Sequence, residues 1–300
     1  MKAKIFFGNE KEKQAYVEAC DHDFEERLDG VMKEVCREDM KFLTLSGPTC
    51  SGKTTASKKL ISEFSDRGKK VKIVSIDDFF RDAKVLTVEA ETGKTRLDFD
   101  SEKALDLPVL EKFMDDIQNG REAALPRYDF TLARRTHFDT FRADDDDVIV
   151  FEGIQAIYPA FTSMFKKDTK VKSLYISVLS DLQLGDVTVS PREVRLWRRI
   201  VRDYRFRAAS PEFTLILWEG VTANEDVNIL PFADSSDYRI ESLMGYEACM
   251  LKEPITALLS EIPESSEYYE KSRRILEHFE NIDPISEKYL PEHSLYHEFL

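Results

Sequence analysis

The octet Gly47-Pro48-Thr49-Cys50-Ser51-Gly52-Lys53-Thr54 constrains this chain more than any other stretch. It matches the spacing GxxxxGK[ST] in full, and sits between an apolar run at 40–46 and a segment of helical character at 53–66. A polyphosphate needs several donors that converge on it. A loop of this spacing wraps backbone N–H groups around the anion, while the helix behind it aims its positive end inward. Gly47 and Gly52 permit the backbone angles and the close approach. Lys53 can reach the β- and γ-phosphates, and the Thr54 hydroxyl can hold Mg2+. The loop, with Thr55 after it, is therefore expected to bind ATP. Cys50 reads as a small filler, since chemistry at such loops uses no thiol.

The run Val71–Ile76 is the next strand, which makes strand–loop–helix–strand, the βαβ unit of a parallel sheet. Val148–Phe151 and Val171–Leu179 read as further strands, and 237–240 as a short edge strand. Helical texture is expected at 102–119, 191–209, 211–230, 245–260 and 266–281, and a hairpin at 124–142. Residues 83–100 read as irregular. Before the first strand, apolar positions from Tyr16 to Val35 recur at helical spacing, as an amphipathic helix or helix pair. The expected organisation is a helical lead at 1–40, a main domain at 41–245 and a helical extension at 246–300 packed on it.

Two acids fall at the carboxyl ends of strands, the edge where open α/β sheets bind ligands. In Ser75-Ile76-Asp77-Asp78, Asp77 is placed to accept a proton from an attacking hydroxyl, whereas Asp78 reads as structural. In Val148-Ile149-Val150-Phe151-Glu152, four apolar residues deliver Glu152 to the same edge, as a carboxylate that orients Mg2+. The helix at 191–209 carries Arg195, Arg198, Arg202 and Arg205 on one face, with Arg207 beyond. Such a stripe either closes over a triphosphate and neutralises developing charge, or is a basic face paired with neighbouring acids. The formal net charge of −14 argues for the first and against a nucleic-acid partner.

The four cysteines show neither CxxC spacing nor a Cys/His cluster, so reduced thiols in the cytoplasm are expected. No apolar stretch is long enough for a membrane span, and the N-terminus has no signal-peptide core. The run Asp144–Asp147 reads as a solvated turn, and Tyr289, His293, Tyr296 and His297 as a locally packed tail without chemistry.

Taken in order, GPTCSGKT, SIDDFF, Leu97-Asp98-Phe99-Asp100, Pro126-Arg127-Tyr128-Asp129-Phe130, FEG at 151–153 and RLWRRIVRDYRFR at 195–207 resemble the phosphoribulokinase/uridine kinase family over residues 40–245. The resemblance implies a P-loop three-layer sandwich, with a parallel sheet flanked by helices. It implies transfer of the γ-phosphoryl of ATP to a hydroxyl, in uridine kinases the 5′-OH of uridine or cytidine. By position, Asp77 matches the family's base, Asp100 the acid on the ribose hydroxyls and Tyr128 the tyrosine near the base. Arg198, Arg202 and Arg207 match its lid. The sequence departs from the pattern where the family's base-contacting histidine would stand, near Ala133, and at Arg207-Ala208-Ala209 in place of RGR. A third departure is Phe80, where a tyrosine is usual. The acceptor stays open between a nucleoside and another sugar or hydroxyl metabolite. An ATP-binding regulator with weak hydrolysis is the reading from another class, and a homo-oligomer is open too.

Overall fold

A computed structural model describes residues 1–82 and 99–300 in full, and between them only the backbone of 87–89 and 95–97. Asp98, and most of the stretch expected to be irregular, therefore lie outside the described residues.

The chain opens with helix α1 (Glu10–Val35), a single helix whose buried Val17, Phe24, Leu28, Met32 and Val35 form one stripe. Strand β1 (Phe42–Ser46) leads through the phosphate loop into α2 (Lys53–Ser65), and β2 (Val71–Ser75) follows. Two short strands, β3 (Thr87–Glu89) and β4 (Thr95–Leu97), pair antiparallel within the region expected to be irregular. Helix α3 (Leu107–Gln118) precedes the hairpin of β5 (Ala123–Asp129) and β6 (Arg134–Phe141). Then come β7 (Val148–Glu152), the one-turn helix α4 (Pro159–Thr162), β8 (Val171–Ser177), and a small hairpin of β9 (Leu182–Leu184) and β10 (Val187–Val189). The chain closes with α5 (Pro191–Arg207), α6 (Pro211–Asn228), α7 (Leu230–Ala233), β11 (Tyr238–Glu241), α8 (Glu247–Ser260) and α9 (Tyr269–Glu277).

Among the described residues, five parallel strands form the central sheet in the order β11-β8-β1-β7-β2. Successive strand residues point to opposite faces, and the sheet is covered on both. Leu43, Leu45, Val148 and Val150 pack into the core built by α1, α2, α5, α8 and the chain's last residues. Phe42, Ile149 and Phe151 face the other core, with Phe113 and Met114 of α3 and with Phe79 and Phe161. This is the expected α/β three-layer sandwich. Among the described residues no helix is long and apolar enough to cross a membrane.

Candidate active site

Register fixes which side chains meet. Glu152 lies level with Leu45 of β1 and Ser75 of β2. The loop at 47–52, Asp77 and Glu152 therefore emerge together at the carboxyl edge of the sheet. The Gly153 amide donates to Leu45 O at 3.2 Å, which ties the end of β7 to the start of the loop.

The loop admits little change. A Cβ on Gly47 would stand 2.2 Å from Ile176 O and 2.7 Å from Ser51 Oγ. Gly52 has φ +98°, open to glycine at little cost. Cys50 takes φ +57° without being glycine, a strained conformation that its surroundings must hold. Two arginines of α5 do so. Arg195 makes a two-pronged pair with Glu225 at 2.6 and 2.7 Å and donates to Thr49 O at 3.2 Å. Arg198 pairs with Glu247 through both Nε (2.8 Å) and Nη2, and donates to Cys50 O at 3.1 Å and Ser242 O at 2.7 Å. Pro48 O and Gly47 O accept from the Lys53 ammonium at 3.1 and 3.0 Å. Thr54 faces solvent at the mouth of the loop.

The arginine stripe does form one face, but its first half serves the loop from behind. Arg198, expected to meet the transferring group, is 0% exposed and spends its donors on Glu247, Cys50 and Ser242. That corrects the lid reading for this residue: a guanidinium enclosed by protein acceptors has no donor to turn toward a phosphate. Arg202 stands at the margin, chelating Asp203 at 2.7 and 2.9 Å and reaching Thr49 Oγ1 at 3.4 Å. Arg207 is exposed, 3.6 Å from Asp203. Nothing in the sequence marks Glu225 and Glu247 as partners, because they lie on α6 and α8.

Beside the loop, Asp77 carries the most perturbed carboxyl of the edge. Burial, then the charge of Glu152, push it up to about 7, against the opposing pull of Lys53. Glu152 is also raised by burial, again opposed by Lys53. A Cβ on Gly153 would meet Ile76 Cβ at 3.0 Å and Asp77 Oδ1 at 3.6 Å, so the absence of a side chain there lets Asp77 sit against β7. Two acids and one lysine thus share a partly dry pocket. Among the described residues no group of three or more His, Cys, Asp or Glu could hold a metal alone. A pair such as Thr54 and Glu152 suits Mg2+, which keeps waters and takes phosphate oxygens rather than an all-protein cage.

On the other side of Asp77 lies an aromatic cluster. Phe80, Phe99, Tyr128 and Phe130 stand with ring centroids 5.2–6.3 Å apart. Asp78 fastens it, accepting from Arg127 Nη1 at 2.9 Å and from the Tyr128 amide at 3.2 Å, in keeping with a structural role. The Tyr128 hydroxyl is enclosed and has no partner among the described residues. Asp100 adjoins this cluster and contributes to the negative field on Asp77; its carbonyl accepts from Tyr158 Oη at 2.6 Å. Ala133 is the left-handed residue of the hairpin turn (φ +47°), so the position that matches the family's histidine is a backbone turn.

The profile of the phosphoribulokinase / uridine kinase family matches residues 42–246, more than half of the chain. The chain belongs to that family. It is a kinase of this group, with the P-loop fold described above. It is 29% identical over 194 residues to uridine-cytidine kinase B of Dictyostelium discoideum, covering 64% of this chain and 71% of that one. It is 28% identical over 166 residues to the uridine kinase of Streptococcus agalactiae, covering 55% of this chain and 69% of the relative. A possible uridine kinase from Bacillus stearothermophilus superposes with TM-score 0.49 at 16% identity, over 73% of this chain and 99% of its own.

Proposed function

We propose that this kinase transfers the γ-phosphoryl of ATP to a hydroxyl of a small metabolite, a nucleoside such as uridine or cytidine. The observation that carries the reading is the placement of Asp77. Its carboxyl feels Lys53 of the phosphate loop and Asp100, while the next residue, Asp78, holds the Tyr128 amide of the aromatic cluster. In this reading a donor site and an apolar, aromatic acceptor site meet at one carboxylate.

In this reading the loop Gly47–Thr54 and Thr55 hold the triphosphate, and Thr54 and Glu152 hold Mg2+. Mg2+ held there would offset the charge of the triphosphate. Asp100 and Tyr128 orient the acceptor, the latter through its unpaired hydroxyl. Asp77 takes the hydroxyl proton as the new O–P bond forms and the bond from γ-phosphorus to the bridging oxygen breaks, which releases ADP. A carboxyl at about 7 is a competent acceptor near neutral pH, though positioning supplies most of the rate. Arg202, at the rim of the loop, would exchange its bonds to Asp203 for the transferring group, and Arg207, exposed beyond it, would join it.

The test is ADP release with ATP and Mg2+, alone and with a panel of nucleosides, sugars and other hydroxyl metabolites. Strong stimulation by one acceptor class, with its phosphorylated product, supports the reading. Equal turnover without any acceptor favours a nucleotide-hydrolysing regulator and refutes it. Stimulation by a non-nucleoside alone keeps the kinase and overturns the acceptor.

A further inference from the structure

The segment 295–299 packs against the end of the phosphate loop and the start of α2. Leu295, Tyr296 and Phe299 are buried, whereas Glu298 is half-buried. A Cβ on Gly52 would stand 2.6 Å from Leu295 Cδ1, so the loop's second glycine is also the seat of this leucine. The Tyr296 hydroxyl donates to Glu247 Oε2 at 2.6 Å, and the Phe299 ring lies 4.9 Å from the Arg198 guanidinium. The tail is therefore fastened to the same ion pair that grips Cys50 O. Farther back, Arg205 Nη1 donates to Glu287 Oε2 at 2.8 Å and adds a second tie to α5.

These anchors deliver one carboxylate to a telling place. Ala56 is the first residue of α2 whose amide is bonded inside the helix, to Gly52 O at 3.1 Å. The amides before it have no acceptor within the helix, and they are the donors on which a phosphate-binding helix depends. Glu298 Oε1 takes one of them, the Thr55 N–H, at 2.7 Å, and the Thr55 hydroxyl at 2.6 Å. An anion at a helix N-terminus is stabilised by the same partial charges that would bind a phosphate.

We propose that Glu298 is a built-in competitor of the nucleotide, holding Thr55 with its carboxylate until a phosphate displaces it. One oxygen cannot share both Thr55 donors with a phosphate, and two anions in that space repel. Glu298 already adds its charge to the field of Glu152. The buried anchors and the half-buried carboxylate divide the work. Leu295, Tyr296 and Phe299 keep the tail docked, while the Glu298 side chain swings out toward solvent. Occupancy of the donor site is then set by exchange of one carboxylate for one phosphate group, and whatever draws the tail away opens the site.

The inference rests on the phosphate loop binding polyphosphate, so the experiment separates the two. Inorganic tripolyphosphate and ATP are each titrated calorimetrically into the full chain, as wild type, Glu298→Gln, Glu298→Ala and Lys53→Ala. Thermal unfolding serves as a check on folding. Both Glu298 variants are expected to fold and to bind both probes about tenfold more tightly, the scale of one charge-assisted hydrogen bond released to the ligand. Affinity unchanged or weakened in both variants overturns the competitor role, and weakening assigns Glu298 to the bound state instead. No binding in any folded protein, or no loss in Lys53→Ala, overturns the phosphate-loop reading and the inference with it. Should Glu298→Ala fail to fold, the near-isosteric glutamine variant decides alone.

Discussion

Replacing Asp77 by asparagine should make the protein more stable and less active together. In the folded protein burial and Glu152 push the Asp77 carboxyl from its ordinary 3.8 up to about 7. Between these values the native state holds a proton that the unfolded chain has released. Stability attributable to this group therefore falls as pH rises from 3.8 to about 7, and is level above. At about 1.4 kcal/mol per pH unit the ionised carboxylate costs the native state at most about 4 kcal/mol. Asp77 is only half-buried, and solvent screening reduces that to about 1–2 kcal/mol. Asparagine keeps the shape and removes the charge. Asp77→Asn should thus melt about 2–4 °C above wild type at pH 8, with a gap that shrinks toward pH 5. Its acceptor-dependent turnover should fall about 100-fold or more, the usual share of a positioned base. Circular-dichroism melts from pH 5 to pH 8.5 and a coupled ADP assay read both. A gap that does not grow with pH, or a variant less stable at pH 8, refutes the electrostatic account. Near-intact phosphorylation of the true acceptor refutes Asp77 as base.

Two further outcomes follow from the loop's supports. Glu247→Ala should cost about 3–5 kcal/mol in urea unfolding, since it leaves Arg198 charged and enclosed without its partner; a loss under about 1 kcal/mol would show that the pair does not brace the loop. Ala208→Gly should add about 1 kcal/mol in the same assay, because Ala208 ends α5 at φ +52°, where glycine is unstrained. A destabilised Ala208→Gly would count against that strain.

Much of the frame was legible because it is written locally. The strands expected at Val71–Ile76 and Val148–Phe151 stand within one residue of β2 and β7. The helix at 191–209 shows itself in a Ser-Pro-x-Glu start, and Ser190 and Glu193 do form a reciprocal cap. The helix expected over 102–119 begins only at Leu107. Pro108 lacks an N–H and is tolerated only in a helix's first turn, so α3 starts beside it and Glu102–Ala104 closes as a separate 3-10 turn. The β9–β10 hairpin was missed, since strands of three residues carry too little alternation to register.

The sequence by itself determined where the phosphate loop of this protein lies. A strand, a glycine-gated loop and a helix are contiguous, and their chemistry follows from chain geometry alone. Strand ends likewise declare Asp77 and Glu152, because a parallel sheet aligns its carboxyl edges. Only the tertiary structure decided what the charges do. Arg195 and Arg198 look like phosphate ligands in a stripe, and become loop braces once Glu225 and Glu247 are folded against them. Tyr296 reads as part of a locally packed tail, and that tail joins the loop's surroundings once Glu298 meets Thr55, 243 residues earlier in the chain. A charged group's role depends on which partner reaches it and how much water is left, and both are properties of the fold rather than of any segment.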